Sequence, residues 1–93
     1  MKALHHFYQK FPEFVGRDLY LSGESYAGIY VPYLAWRIQQ YNHDAKVLNQ
    51  TQINLKGILV GNGCTDWEVD AEPGWMEMLY MHNIMSIDNF TEW

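Results

Sequence analysis

Apolar side chains at Ala3, Leu4, Phe7, Tyr8 and Phe11 recur at helical spacing and predict a helix over residues 3–11 with one apolar stripe. Pro12 closes it, because a residue before proline is pushed away from helical angles. Gly16 marks a turn, and residues 18–22 (Asp-Leu-Tyr-Leu-Ser) read as a short strand that Gly23 ends. Residues 26–42 predict a second helix, whose stripe runs through Tyr30, Leu34, Ile38 and Tyr41, with Arg37, Gln39 and Gln40 off it. Pro32 belongs in its first turn or two, or else kinks it. A polar loop is expected over 42–54, then a strand over 55–60, then a turn at Gly61-Asn62-Gly63. Residues 73–92 read as two short helices split near Ser86, with Ser86 or Asp88 as the cap of the second.

Helix–strand–helix–strand–helix implies a crossover between parallel strands, hence an α/β fold. The unbroken Ile58-Leu59-Val60 run suits a strand covered on both faces. Two strands do not make a stable sheet by themselves, so the chain is expected to be a piece of a larger fold.

Composition adds exclusions. The chain has 93 residues, 48% of them hydrophobic, 16% aromatic and 18% charged, which is a globular balance. The net charge is −5 and the last basic residue is Lys56, so the final third is acidic throughout and nucleic acid is not an expected partner. Apolar runs are too short to span a bilayer. No apolar stretch follows Met1, so no signal peptide is expected in this chain. Cys64 has no internal partner; it is either a small buried residue or half of a disulfide completed elsewhere. No Cys/His spacing suggests a metal, and no cofactor is expected.

The chemistry concentrates in Gly23-Glu24-Ser25-Tyr26-Ala27-Gly28, where the first strand meets the second helix. In a nucleophile elbow the serine occupies a sharp, strained turn that lifts its hydroxyl above the sheet. Small residues two before and two after it, here Gly23 and Ala27, allow strand and helix to approach. The later position is usually glycine, so alanine is a mild departure, and Gly28 gives further room. The Tyr26 N–H then points where a carbonyl oxyanion would form, at a helix N-terminus whose dipole favours negative charge. Alone, small-x-Ser-x-small is a weak pattern, and a plain tight turn satisfies it. The position between strand and helix gives it weight.

That hexapeptide, followed by Tyr30-Val31-Pro32 and flanked by Phe11-Pro12-Glu13-Phe14, the Gly16–Ser22 stretch and the Ile53–Asp66 stretch, resembles the serine carboxypeptidases, peptidase family S10. The resemblance covers nearly the whole chain. It implies a partial α/β-hydrolase fold, with residues 1–66 in its core and 67–93 opening a helical insertion. It implies removal of C-terminal residues from peptides, at acid pH, in vacuoles, lysosomes or outside the cell. By the same resemblance Ser25 is the nucleophile, the Tyr26 N–H an oxyanion donor, and Glu24 the glutamate that meets the substrate's terminal carboxylate; a helix-capping role is the alternative for Glu24.

The rest of the machinery is missing. In this fold the triad runs Ser, Asp, His along the chain. His5, His6 and His43 come too early, and His82 lies on a helix stripe with Leu79. Asp66 follows a strand end, but the resembled family keeps its acid later. The family's glycine-rich second oxyanion strand is absent as well. The isolated chain is therefore expected to be inactive and to need the remainder of its fold. An inactive truncated product, an interaction module and a related serine acyltransferase are the alternatives. Asn49-Gln50-Thr51 and Asn89-Phe90-Thr91 match the N-glycosylation pattern.

Overall fold

A computed structural model of the chain describes the backbone of residues 1–93 and every side chain except those of Ala71 and Pro73. The chain forms two compact units, Met1–Gly63 and Cys64–Trp93.

The first unit contains α1 (Lys2–Lys10), a 3-10 turn (Pro12–Phe14), β1 (Leu19–Glu24), α2 (Ala27–Val47) and β2 (Leu55–Gly61). The strands are parallel, joined through α2, so the α/β expectation holds. Leu21 pairs with Ile58 and Gly23 with Val60, while Tyr20 pairs with Gly57 and Ser22 with Leu59. The register slips between Leu19 and Tyr20. Tyr20 lies over Gly57, 3.6 Å from where a Cβ would sit, so an aromatic ring covers the bare backbone.

Two boundaries differ most from expectation. Gly23 does not end β1 but lies inside it, because the strand carries the chain up to Glu24. The second helix runs five residues past 42, to Val47, and the polar loop shrinks accordingly. Its end is set by Asn49, which takes the left-handed conformation (φ 52°). There the Gln50 N–H donates to the Ala45 carbonyl at 2.7 Å and the Asn49 N–H to Lys46 at 3.3 Å. That pair of bonds is a Schellman cap, which satisfies carbonyls a helix end otherwise orphans.

The buried face of α2 follows the expected stripe in part: Ile38 is fully buried and Leu34 and Tyr41 are half-buried, but small residues outside the stripe are buried too. Ala27, Gly28, Val31, Ala35, Ile38 and Ala45 are buried, whereas Tyr30 is 54% exposed. Small residues sit closest to the sheet because they let the helix axis approach, and the large aromatics turn outward. Pro32 falls in the second turn, and the helix continues through it. Ile38 and Ile53 anchor this small core, each contributing roughly 1.5–3 kcal/mol by burial.

One contact had no sequence signal. The Asn42 amide pairs reciprocally with the backbone of Ile53: Nδ2 donates to the carbonyl and Oδ1 accepts from the N–H, both at 2.7 Å. The side chain thereby acts as a short stretch of strand that steers the chain into β2. Asn54 Nδ2 in turn donates to Asp18 Oδ1 (2.7 Å) and to the Gly16 carbonyl (3.2 Å), fastening the starts of the two strands.

In the second unit a π-helical turn (Trp67–Ala71), which the sequence did not suggest, leads into α3 (Glu72–Met81) and α4 (Ile87–Glu92). Asp66 caps the turn, its Oδ1 accepting from the N–H groups of Glu68 and Val69. The Asp70 carboxylate accepts from the Thr65 hydroxyl (2.6 Å), the Thr65 N–H (2.7 Å) and the Asp66 N–H (3.0 Å). Those bonds, the hydroxyl's first, hold its pKa below the ordinary aspartate range. Asn83 (φ 56°) ends α3 in a second Schellman cap, with Ile84 N–H on the Leu79 carbonyl at 2.9 Å. Ser86 caps α4, its Oγ accepting from Asn89 N–H at 3.3 Å. The predicted split and the serine cap are both present.

Candidate active site

Ser25 stands between the last residue of β1 and the N-cap of α2. Its φ is +59°, a left-handed conformation that costs a non-glycine residue roughly 1–2 kcal/mol. Its N–H donates to the Gly61 carbonyl at the end of β2 (3.1 Å), and its carbonyl accepts from Gly28 N–H (3.0 Å). The strained residue is thus tied on one side to the neighbouring strand and on the other to the helix it starts. Its side chain is exposed.

The small residues around it are required by distance. A Cβ on Gly23 would collide with the Ala27 Cβ and lie 3.3 Å from Val31 Cγ2. Alanine at the later small position therefore already fills the space between strand and helix. Gly28 is buried, and a Cβ on Gly63 would stand 3.4 Å from its Cα. The turn after β2 therefore packs on the first turn of α2. Asn62 supplies the left-handed residue in that turn (φ 45°). Sequence reasoning placed a turn at 61–63 but missed that the Gly61 carbonyl holds Ser25; the neighbouring glycines were the available signal.

The N-terminus of α2 carries no side-chain cap. Gly28 and Ile29 donate to the Ser25 and Tyr26 carbonyls, whereas the Tyr26 N–H makes no hydrogen bond among the described residues. Glu24 is exposed at the end of β1 and takes no part in capping the helix. Gly23, Glu24, Ser25, Tyr26, Ala27 and Gly28 thus form one continuous strand–turn–helix corner.

The histidines of this unit lie elsewhere. His5 packs edge-to-face on Tyr41 at 4.8 Å, and His43 faces Asp44 at 3.4 Å with both exposed. Tyr41 is fourteen residues along α2 from Ala27, about 21 Å of helix. A cleft of about 220 Å³ opens there, lined by His5, Tyr8, Tyr41, Thr51 and Ile53 among others, remote from the serine. In the second unit Asp66 is occupied as a cap and His82 is an exposed residue at the end of α3. Among the described residues no group of three or more His, Cys, Asp or Glu is placed to hold a metal ion. Among the described residues no helix is long and apolar enough to cross a membrane.

A parallel strand–serine–helix corner places the chain with the α/β proteins that carry a residue at a sharp strand-to-helix turn. Residues 1–93 match the family model of the serine carboxypeptidases. Serine carboxypeptidase-like 36 of Arabidopsis thaliana is 41% identical over 87 residues, covering 90% of this chain and 17% of the relative. Serine carboxypeptidase 24 of the same plant is 47% identical over 77 residues, covering 83% and 16%. The venom serine carboxypeptidase of Apis mellifera is 48% identical over 64 residues, covering 69% and 13%. The chain belongs to the serine carboxypeptidase family, and it spans 13–17% of the length of these relatives.

Proposed function

We propose that this chain is the nucleophile-bearing segment of a serine carboxypeptidase of α/β-hydrolase fold, with residues 1–66 in the core and 67–93 opening the helical insertion. The observation that carries the proposal is Ser25 at φ +59° on the corner between β1 and α2, with its side chain in the open. Strain of this kind persists only where surrounding structure enforces it, and here Gly61 and Gly28 do so.

In the proposed reaction Ser25 Oγ attacks the carbonyl carbon of the last peptide bond while its proton passes to a histidine supplied by the rest of the fold. The carbonyl oxygen becomes an oxyanion that accepts from the Tyr26 N–H, a donor left free because α2 starts without a side-chain cap. The C–N bond breaks, the C-terminal residue leaves as a protonated amine, and water then hydrolyses the acyl-serine ester. Glu24 meets the substrate's terminal carboxylate. Its exposure beside Ser25 and its absence from the helix cap support that role over capping. The parent protein would act in a vacuole, a lysosome or outside the cell, on peptide C-termini. The isolated chain, without the triad Asp and His, would not turn over.

An organophosphonate probe tests this, since it traps only an activated serine. In the intact parent protein, labelling is expected at Ser25 and lost in Ser25→Ala. Labelling that survives Ser25→Ala would assign the nucleophile to another residue.

A further inference from the structure

The geometry points to Asn49, and not Asn89, as the N-glycan acceptor of this chain. Both match the acceptor pattern, but the fold presents them differently. Transfer requires the asparagine amide and the hydroxyl two residues on to be gripped together, in a chain free to bend around them. Asn49 stands just outside α2, at the left-handed position of its Schellman cap, and Gln50 and Thr51 continue in non-helical chain. All three are exposed. Neither the Asn49 amide nor the Thr51 hydroxyl makes a hydrogen bond among the described residues. The Thr51 carbonyl accepts from Tyr41 Oη at 3.2 Å, which anchors the backbone and leaves its hydroxyl outside.

Asn89 is held in the opposite way. Asn89, Phe90 and Thr91 lie inside α4, where residues two apart do not face each other. Ser86 Oγ holds the Asn89 N–H, and the Thr91 hydroxyl donates to the Asp88 carbonyl at 2.9 Å. Phe90 stacks on Tyr80 with ring centres 4.7 Å apart and planes within 11°, pinning the middle residue of the triplet. Unwinding α4 for transfer would break all three contacts; at Asn49 neither the acceptor amide nor the Thr51 hydroxyl has a bond to give up, and only the backbone bonds of the Schellman cap and the Tyr41–Thr51 bond hold the triplet.

The donor is a lipid-linked oligosaccharyl pyrophosphate. Asn49 Nδ2 attacks the anomeric carbon and loses one proton, and the C1–O bond breaks with its electron pair leaving on the lipid pyrophosphate. The inference requires passage through a secretory lumen and is independent of the catalytic reading above.

The full chain, translated behind a cleavable leader into sealed endoplasmic-reticulum microsomes, provides the test. One glycan is expected on the unaltered chain, and peptide:N-glycosidase should leave aspartate at position 49 by mass spectrometry. Thr51→Ala should abolish the shift and Thr91→Ala should preserve it. The double variant Ser86→Ala/Tyr80→Ala, which leaves both acceptor triplets intact, should gain a second glycan as α4 loosens. No glycan, two glycans on the unaltered chain, retention in Thr51→Ala or loss in Thr91→Ala would each overturn the assignment. A double variant with one glycan would overturn the helical cause.

Discussion

Single residues in this chain are placed under constraints that a change of one atom would violate. Gly23 has no space for a Cβ against Ala27. Gly23→Val should force strand and helix apart and abolish phosphonate labelling in the intact parent as fully as Ser25→Ala does, while Gly57→Ala, where Tyr20 is at ordinary contact distance, should label normally. Glu24 makes a different prediction. Two carboxylates share a hydrogen bond only when one holds a proton, so peptide binding through Glu24 should weaken as pH rises. Glutamine donates without borrowing a proton, so Glu24→Gln should flatten the dependence of KM on pH and leave a C-terminally amidated substrate almost unaffected. An unchanged KM–pH profile would remove Glu24 from substrate binding. Asp70 titrates in the opposite direction from a residue that gains stability with acid. Its pKa is depressed in the fold by the Thr65 and Asp66 bonds, so their contribution is present above the ordinary unfolded aspartate value and is lost as pH falls through the lower folded value. The Thr65 amide resonance should therefore move with a midpoint below the ordinary aspartate range, and Asp70→Asn should eliminate that titration.

At the scale of elements, the fold depends on asparagines as much as on apolar stripes, and this separates what was legible in the sequence from what was not. The order of the main helices and strands, the Pro12 stop, the Ser86 cap and the strand–serine–helix corner could all be read, because each rests on local chemistry between near neighbours. The small residues on the buried face of α2 could not. Periodicity finds the fully buried Ile38, but it also favours the exposed Tyr30 and passes over Ala27, Ala35 and Ala45, whose burial depends on partners distant in sequence. The end of α2 was hidden for a related reason: Asn49 and Asn83 do the work usually given to glycine, and a polar stretch containing asparagine resembles ordinary loop. Asn42 was hidden completely, since its partner Ile53 lies eleven residues on. Asn42→Ala would leave the part-buried Ile53 N–H unpaired, while the Ile53 carbonyl keeps the Leu55 N–H at 2.9 Å, at a cost of about 1–3 kcal/mol. Hydrogen exchange at Ile53 should accelerate, with little change at Tyr20 or Leu21 in the neighbouring strand. If Ile53 exchanges at its original rate, the amide clamp contributes nothing.

At the scale of the molecule, the sheet has two strands and each has one edge without a strand partner among the described residues. Ile58, Leu59 and Val60 form an unbroken apolar run that suits a strand covered on both faces, yet they are 43%, 57% and 37% exposed. Tyr20, on the face opposite α2's small residues, is 58% exposed. Among the described residues the buried hydrophobic core consists of three alanines, one valine and two isoleucines, little to offset the ordering of a chain this long. Open strand edges beside exposed β-branched side chains template pairing with other chains. The separated 93-residue chain should therefore associate with itself. Light scattering across a concentration series should show mass rising well above the 11.0 kDa of one chain. Leu59→Lys should reduce that association, because it places a charge on the open face without touching α2's side of the sheet. Peptide release is expected to stay at background in both forms, since the Ser25 hydroxyl has no hydrogen-bonded histidine among the described residues. A stable monomer at every concentration would contradict the edge argument, and a monomer that cleaves peptides would contradict the catalytic one.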